Sequence, residues 1–170
     1  MDLQQAEANL KQFSAHYDYD TGYIIQLMHD SPGAYETFAA AQAMPNYSQA
    51  LPLDAFFVAK ITVMKTEDCG PCANLSLKMG VEKGLDRQFL KDIVQNPAAL
   101  PQPLKDVHDH VVAVIRNDDQ DADRMERIRQ HYGVEAFAEL AVVIVGSRIY
   151  PTLKRAMGMD AYCEVLNLDF

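Results

Sequence analysis

The stretch Thr66-Glu67-Asp68-Cys69-Gly70-Pro71-Cys72-Ala73 decides how this chain is read. A Cys-Gly-Pro-Cys pair that follows a hydrophobic strand points to a sheet with crossover helices, whereas one that follows a helix points to an all-helical domain. Here the three residues before Cys69 are polar. Upstream, Asp54 can cap a helix that runs to about Thr66, with Phe57, Ile61 and Met64 recurring on its inward face. The β-branched run Ile61-Thr62-Val63 would also suit a short strand, which makes a strand the competing reading of that segment. Downstream, Gly70-Pro71 opens a helix that fades near Gly84, because proline fits the first helical turn, where its missing N–H has no partner to lose.

Outward from this pair the pattern stays helical. Leu3, Ala6, Leu10 and Phe13 fall on one helical face, and a second helix spans about Thr21 to Asp30. Ser31-Pro32-Gly33 reads as an N-cap with proline at the first helical position, opening a helix through Met44 that Pro45 stops. Asn46 to Pro52 is a loop. Leu85 to Asn96 is a shorter helix with Asp86 at its start, and Pro97, Pro101 and Pro103 form a kinked connection. Pro103 then opens a helix to Asn117. After the acidic segment Asp118 to Asp123, a helix reaches Tyr132 and stops at Gly133. The longest helix runs from about Val134 to Met157, with a kink expected at Pro151. The expectation is a single all-α domain: N-terminal helices over residues 1–50, a core over 53–158, and an apolar tail over 159–170.

Composition narrows the partners. The 170 residues are 49% hydrophobic, enough for a full core without disulfide staples. The net charge of -9 repels phosphate backbones and anionic lipid headgroups, so neither nucleic acid nor a membrane surface is expected as a partner. Leu140 to Gly146 is the most apolar stretch and is too short to span a bilayer. Met1-Asp2-Leu3-Gln4-Gln5 lacks a basic start followed by an apolar run, and three cysteines do not make a secreted disulfide framework. A reducing cytoplasm is the expected compartment.

Cys69 and Cys72 carry the chemistry. At a spacing of three on a helix, two side chains share a face about 5–6 Å apart, within disulfide range. The first turn of a helix also offers unpaired N–H groups and the positive end of the dipole, both of which favour a thiolate. Glu67 and Asp68 oppose that effect, and Lys65 and Lys78 assist it. Three readings compete: two buried cysteines serving as small hydrophobes, a structural zinc site, and thiol–disulfide chemistry. Zinc would need two further ligands, and the sequence has no second CxxC and no HxxxH to supply them.

CGPC is the tetrapeptide of thioredoxins, but the helical flanks make a thioredoxin-like oxidoreductase the lesser analogy. The order of elements instead resembles the AhpD-like alkylhydroperoxidases of the carboxymuconolactone decarboxylase superfamily. That likeness runs from the two early helices and Leu53-Asp54, through Cys69-Gly70-Pro71-Cys72-Ala73 and Gly84-Leu85-Asp86, to Glu139-Leu140 and Met157-Gly158. The resemblance implies an all-helical bundle assembled as a trimer or hexamer. It also implies a peroxidase-type oxidoreductase with Cys69 and Cys72 as catalytic residues and no cofactor or metal. A small peroxide or disulfide would be the substrate, and a thiol or dithiol the electron donor. The family's relay places a Glu twelve residues before the first cysteine and a His four after the second. Those positions are Phe57 and Ser76 here, so the relay is incomplete, and Glu67 or Asp54 are the carboxylates left to replace it. A redox sensor or scaffold that lost the relay is the alternative function.

Other residues read as structural. His108 and His110 are two apart on a helix, cannot chelate together, and are expected on a solvated face. His16, Tyr17 and Tyr19 suit packing or a turn, and His131-Tyr132 suits a helix C-terminus. Arg148 and Tyr150 could line a pocket beside the cysteine helix. Cys163 is expected to be structural or incidental.

Overall fold

A computed structural model describes residues 2–118 and 121–159 of the chain. The described residues form nine α-helices and contain no strand. They are α1 (Leu3–Tyr17), α2 (Gly22–Asp30), α3 (Pro32–Ala41), α4 (Leu53–Thr66), α5 (Gly70–Glu82), α6 (Arg87–Gln95), α7 (Gln102–Arg116), α8 (Ala122–Tyr132) and α9 (Val134–Ala156). Short 3-10 turns at Met44–Asn46 and Pro97–Ala99 join α3 to α4 and α6 to α7.

Local chemistry sets most of the boundaries. Asp2, Ser31, Asp86 and Asp121 each accept a backbone N–H of the helix that follows, satisfying donors that the first turn leaves free. Some boundaries differ from expectation, among them the sixth helix, Arg87–Gln95 where Leu85 to Asn96 was expected. The third helix ends at Ala41, short of Met44, and Pro45 sits inside a 3-10 turn. Pro52, not Asp54, is the N-cap of α4, and Asp54 lies in the first turn. α7 begins at Gln102, one residue before Pro103. The tail from Ala161 to Phe170, with Cys163, lies outside the described residues.

α4 is the axis of the fold. Every residue from Ala55 to Met64 is buried, including Ile61-Thr62-Val63, so α4 is packed on all sides by α5, α6, α7 and α9. That tertiary burial settles the helix–strand competition in favour of helix. Leu77, Leu90, Val107, Ile128 and Leu140 close around it. Each such side chain contributes about 1.5–3 kcal/mol by leaving water. Gly80 lets α5 approach α6, since a Cβ there would lie 2.8 Å from Cδ2 of Leu90 and 3.4 Å from Cδ1 of Phe57. Asp106 on α7 accepts both Nε and Nη2 of Arg127 on α8, at 2.9 and 2.8 Å.

A second apolar cluster lies between the N-terminal helices and the start of α5. It contains Tyr19, Tyr23, Met28, Tyr35, Met64 and both cysteines. At the other end of the chain, α9 is longer than the apolar stretch read from sequence. Its 23 residues are long and apolar enough to cross a bilayer by length and composition, and 44% of the most apolar window is buried within the fold. The outer side of α9 keeps apolar groups in solvent, with Val134 74% and Val145 55% exposed.

Candidate functional site

The cysteine pair sits at a tight corner. α4 ends at Thr66, and Asp68 adopts a left-handed conformation, with φ 53°, that turns the chain. The N–H of Cys69 then donates to the Met64 carbonyl at 3.0 Å, and the Cys69 carbonyl accepts the Ala73 N–H at 2.9 Å. Cys69 thus becomes the N-cap of α5, and Cys72 lies in the first turn. The two are joined by a disulfide with a Cα–Cα distance of 5.3 Å. Glu67 clamps the corner to the end of α9. Its carboxylate accepts Nε of Arg148 at 2.6 Å and a guanidinium N–H of Arg155, while Nη1 of Arg155 reaches the Glu67 carbonyl at 2.9 Å.

A cavity of about 750 Å³ opens between α1–α3 and α4–α5. Its walls include Cys72 and Ser76 but not Cys69. Exposed polar residues of α1, Gln5 and Asn9, stand at its rim, and buried Tyr23, Ile24 and Cys72 form its floor. Cys72 is 2% exposed and Cys69 9%. Both are buried, and of the two it is Cys72 that faces the cavity.

Two tyrosines complete the floor. The Tyr19 hydroxyl lies 3.6 Å from Sγ of Cys72 and 3.1 Å from the Tyr23 hydroxyl. A disulfide sulfur has no proton to give, so Tyr19 donates to Cys72 and Tyr23 donates to Tyr19. Burial pushes the Tyr19 phenol above its ordinary range, against the opposing hydrogen bond from Tyr23, and pushes Tyr23 well above it. Tyr150, also on the wall, is raised to about 12 by burial and by Tyr19. All three remain protonated near neutral pH. They can supply protons and hydrogen bonds to sulfur, and they cannot act as bases.

The basic group on the wall is Lys60. It comes from the middle of the buried stretch of α4, is 6% exposed, and donates from Nζ to the Asn46 side-chain oxygen at 2.9 Å and the Pro45 carbonyl at 3.2 Å. Both acceptors are neutral. Burial lowers its pKa to about 8.

The residues singled out from sequence divide clearly. Cys69 and Cys72 are brought together. Ser76 faces the cavity one turn beyond Cys72, whose carbonyl accepts its hydroxyl at 2.9 Å. Phe57 does not reach the site: it is buried in the other cluster, with its ring edge-on to Phe56 and its edge against Gly80. Glu67 is held by arginines and Asp54 stands at the far end of α4, so neither carboxylate lines the cavity. Lys65 and Lys78 are also engaged elsewhere, on the carbonyls of Val94 and Tyr17. Tyr150 lines the cavity, edge-on to Phe38, whereas Arg148 does not. His16 and Tyr17 hold the end of α1 against Glu82 of α5, His16 at 2.6 Å and Tyr17 at 2.5 Å.

The solvated face expected for His108 and His110 is corrected. His110 is buried beside Phe137, and the His108 side chain is 13% exposed and bonded to Asp109. His110 lies on the inward side of α7, while His108, on another side of the helix, is largely covered where it meets Asp109. Among the described residues no three His, Cys, Asp or Glu side chains converge as a metal site. Tyr19, Tyr23 and Lys60 are the site residues missed from sequence. Lys60 left a signal, a lone charge inside the apolar run Ala55 to Met64. Tyr19 left none, being 53 residues from its sulfur partner.

Comparison of the chain with known protein families, curated proteins and solved structures yields no match.

Proposed function

We propose that this protein is a thiol-dependent reductant of an organic hydroperoxide or disulfide, cycling between the Cys69/Cys72 dithiol and its disulfide. The carrying observation is that Cys72 of the joined pair forms part of the cavity floor, with a phenol directed at its sulfur. The described residues are all helical, and an all-helical domain is what the AhpD-like resemblance implies.

In the reduced protein the Cys72 thiolate attacks the terminal oxygen of the hydroperoxide. The O–O bond breaks, Tyr19 protonates the departing alkoxide, and Cys72 becomes a sulfenic acid. Cys69 attacks that sulfur, the S–S bond forms, and the hydroxide leaves as water with the Cys69 proton. Two thiols and a hydroperoxide yield a disulfide, an alcohol and water. A disulfide substrate follows the same path through a mixed disulfide, with a thiolate as the leaving group. An external thiol or dithiol returns the pair to its reduced state, and Tyr23 and solvent reload Tyr19.

The second reading is a redox sensor that oxidises once. It is favoured by Phe57 and Ser76 standing where the resembled relay has its proton-handling groups. Turnover separates the two. The reduced protein should consume cumene hydroperoxide repeatedly with dithiothreitol, at a slow rate. Cys72→Ser and Cys69→Ser should abolish this, and Tyr19→Phe should slow it about tenfold or more. Ser76→His introduces a base at the cavity wall and should accelerate it. Phe57→Glu is no usable complement, because it buries an unpaired carboxylate in the main core. Oxidation of one equivalent, with an intact-mass loss of about two hydrogens and no turnover, would favour the sensor.

Self-association belongs to the same proposal. Val134 and Val145 expose apolar surface on α9, which a trimer or hexamer would cover. Sedimentation at micromolar concentration should give a mass well above the 19.0 kDa of one chain. A monomer would count against the assembly and the resemblance together.

A further inference from the structure

We infer that the cavity binds an organic carboxylate with an apolar body, its head group on Lys60 and its chain running toward Cys72. This deepens the reductase reading by naming the class of substrate, and it rests on that reading only for the claim that the ligand is also reduced.

Two features of the cavity specify the ligand. One is the cation. A buried ammonium normally sits beside a carboxylate. The Lys60 Nζ has the Pro45 carbonyl and the Asn46 side-chain oxygen, which occupy two of its three protons, and the neutral Phe56 ring 5.4 Å away. Asp2, the acidic residue on the wall, uses its carboxylate to cap α1, accepting Gln4 N–H at 3.0 Å and Gln5 N–H at 3.2 Å. Among the described residues, then, no carboxylate pairs with the buried Lys60 ammonium. The other feature is the lining away from Lys60, which is aliphatic and aromatic: Leu10, Phe13, Ile24, Leu75 and Met79 among others. A single negative charge with an apolar body complements both.

Lys60 and Met64 line the cavity one turn apart on α4, about 6 Å along the helix axis. Met64 is the residue whose carbonyl holds the Cys69 N–H. A head group on Lys60 therefore starts its chain roughly a turn away from the cysteine corner, within the same cavity. Gln42, whose carbonyl accepts the Asn46 side-chain N–H at 3.3 Å, also lines the wall.

The test is binding, read by calorimetry on the disulfide form so that turnover plays no part. Decanoate should bind about tenfold or more tightly than decanol, since the two differ only at the head group. Lys60→Met removes the charge while keeping the chain length. It should lose that preference and still bind decanol. Leu10→Trp, which fills the cavity, should weaken both ligands in parallel. Equal binding of decanoate and decanol by the unaltered protein overturns the inference whatever Lys60→Met does, and so does a preference that survives in Lys60→Met. Because neither outcome involves sulfur chemistry, the inference can fail while the reductase proposal stands, and the reverse holds too.

Discussion

Glu139→Ala is expected to lower the unfolding free energy by about 3 kcal/mol, read as a lower urea midpoint with an unchanged slope. Glu139 is 4% exposed on α9, and its Oε2 accepts three successive backbone N–H groups: Gln49 at 2.9 Å, Ala50 at 2.9 Å and Leu51 at 2.8 Å. These amides belong to the segment that feeds α4, so one carboxylate fastens the entry of the central helix to the last helix. Alanine leaves all three donors without an acceptor, and the Leu51 N–H lies too deep for water to replace it at no cost. Glu139→Gln keeps an oxygen acceptor but loses the charge, and should cost less than half as much.

The pH dependence has a definite sign. Burial by itself would raise the Glu139 pKa, but the three N–H donors outweigh it and the folded value lies below the ordinary 4.5. The carboxylate's contribution is therefore complete above that ordinary value and is lost as the pH falls through the folded one. The unaltered protein should lose more stability than Glu139→Gln on acidification across that window. A urea midpoint indifferent to Glu139→Ala would show that the segment holds without its carboxylate.

The helices were legible because their signals are local. Ser31-Pro32 and Asp86 cap the elements they were read to open, and Gly133 separates α8 from α9 as expected. Ile61-Thr62-Val63 was ambiguous because β-branching is a weak local preference, which the all-round packing of α4 overrides. The cysteine pair was legible as chemistry, since a spacing of three at a helix start is enough to place the sulfurs together. What surrounds them was not. Tyr19 reaches Cys72, and Tyr23 reaches Tyr19, only because α1–α3 fold back over the α4–α5 corner, and no pattern within a short window encodes that approach. His110 likewise looked solvent-facing until α8 and α9 closed over α7.

Gly146→Ala should destabilise the protein by about 2–3 kcal/mol, although alanine is the better helix former by about 1 kcal/mol. Gly146 lies in the middle of α9 against the 3-10 turn Met44–Asn46. A Cβ there would stand 2.5 Å from the Pro45 nitrogen and 2.7 Å from the Met44 carbonyl carbon. Both are backbone atoms, so no rotamer change relieves the contact, and the turn or the helix must move. Gly33→Ala supplies the control, since Gly33 has nothing within 4 Å of the added carbon and should be neutral or slightly stabilised. The same substitution reaches the cavity. Pro45 and Asn46 provide both acceptors of Lys60, so displacing their turn unseats the ammonium that the proposed carboxylate would meet. Gly146→Ala should therefore weaken decanoate more than decanol while lowering the thermal midpoint. A midpoint equal to that of Gly33→Ala would mean that α9 and the turn sit farther apart than this close approach requires.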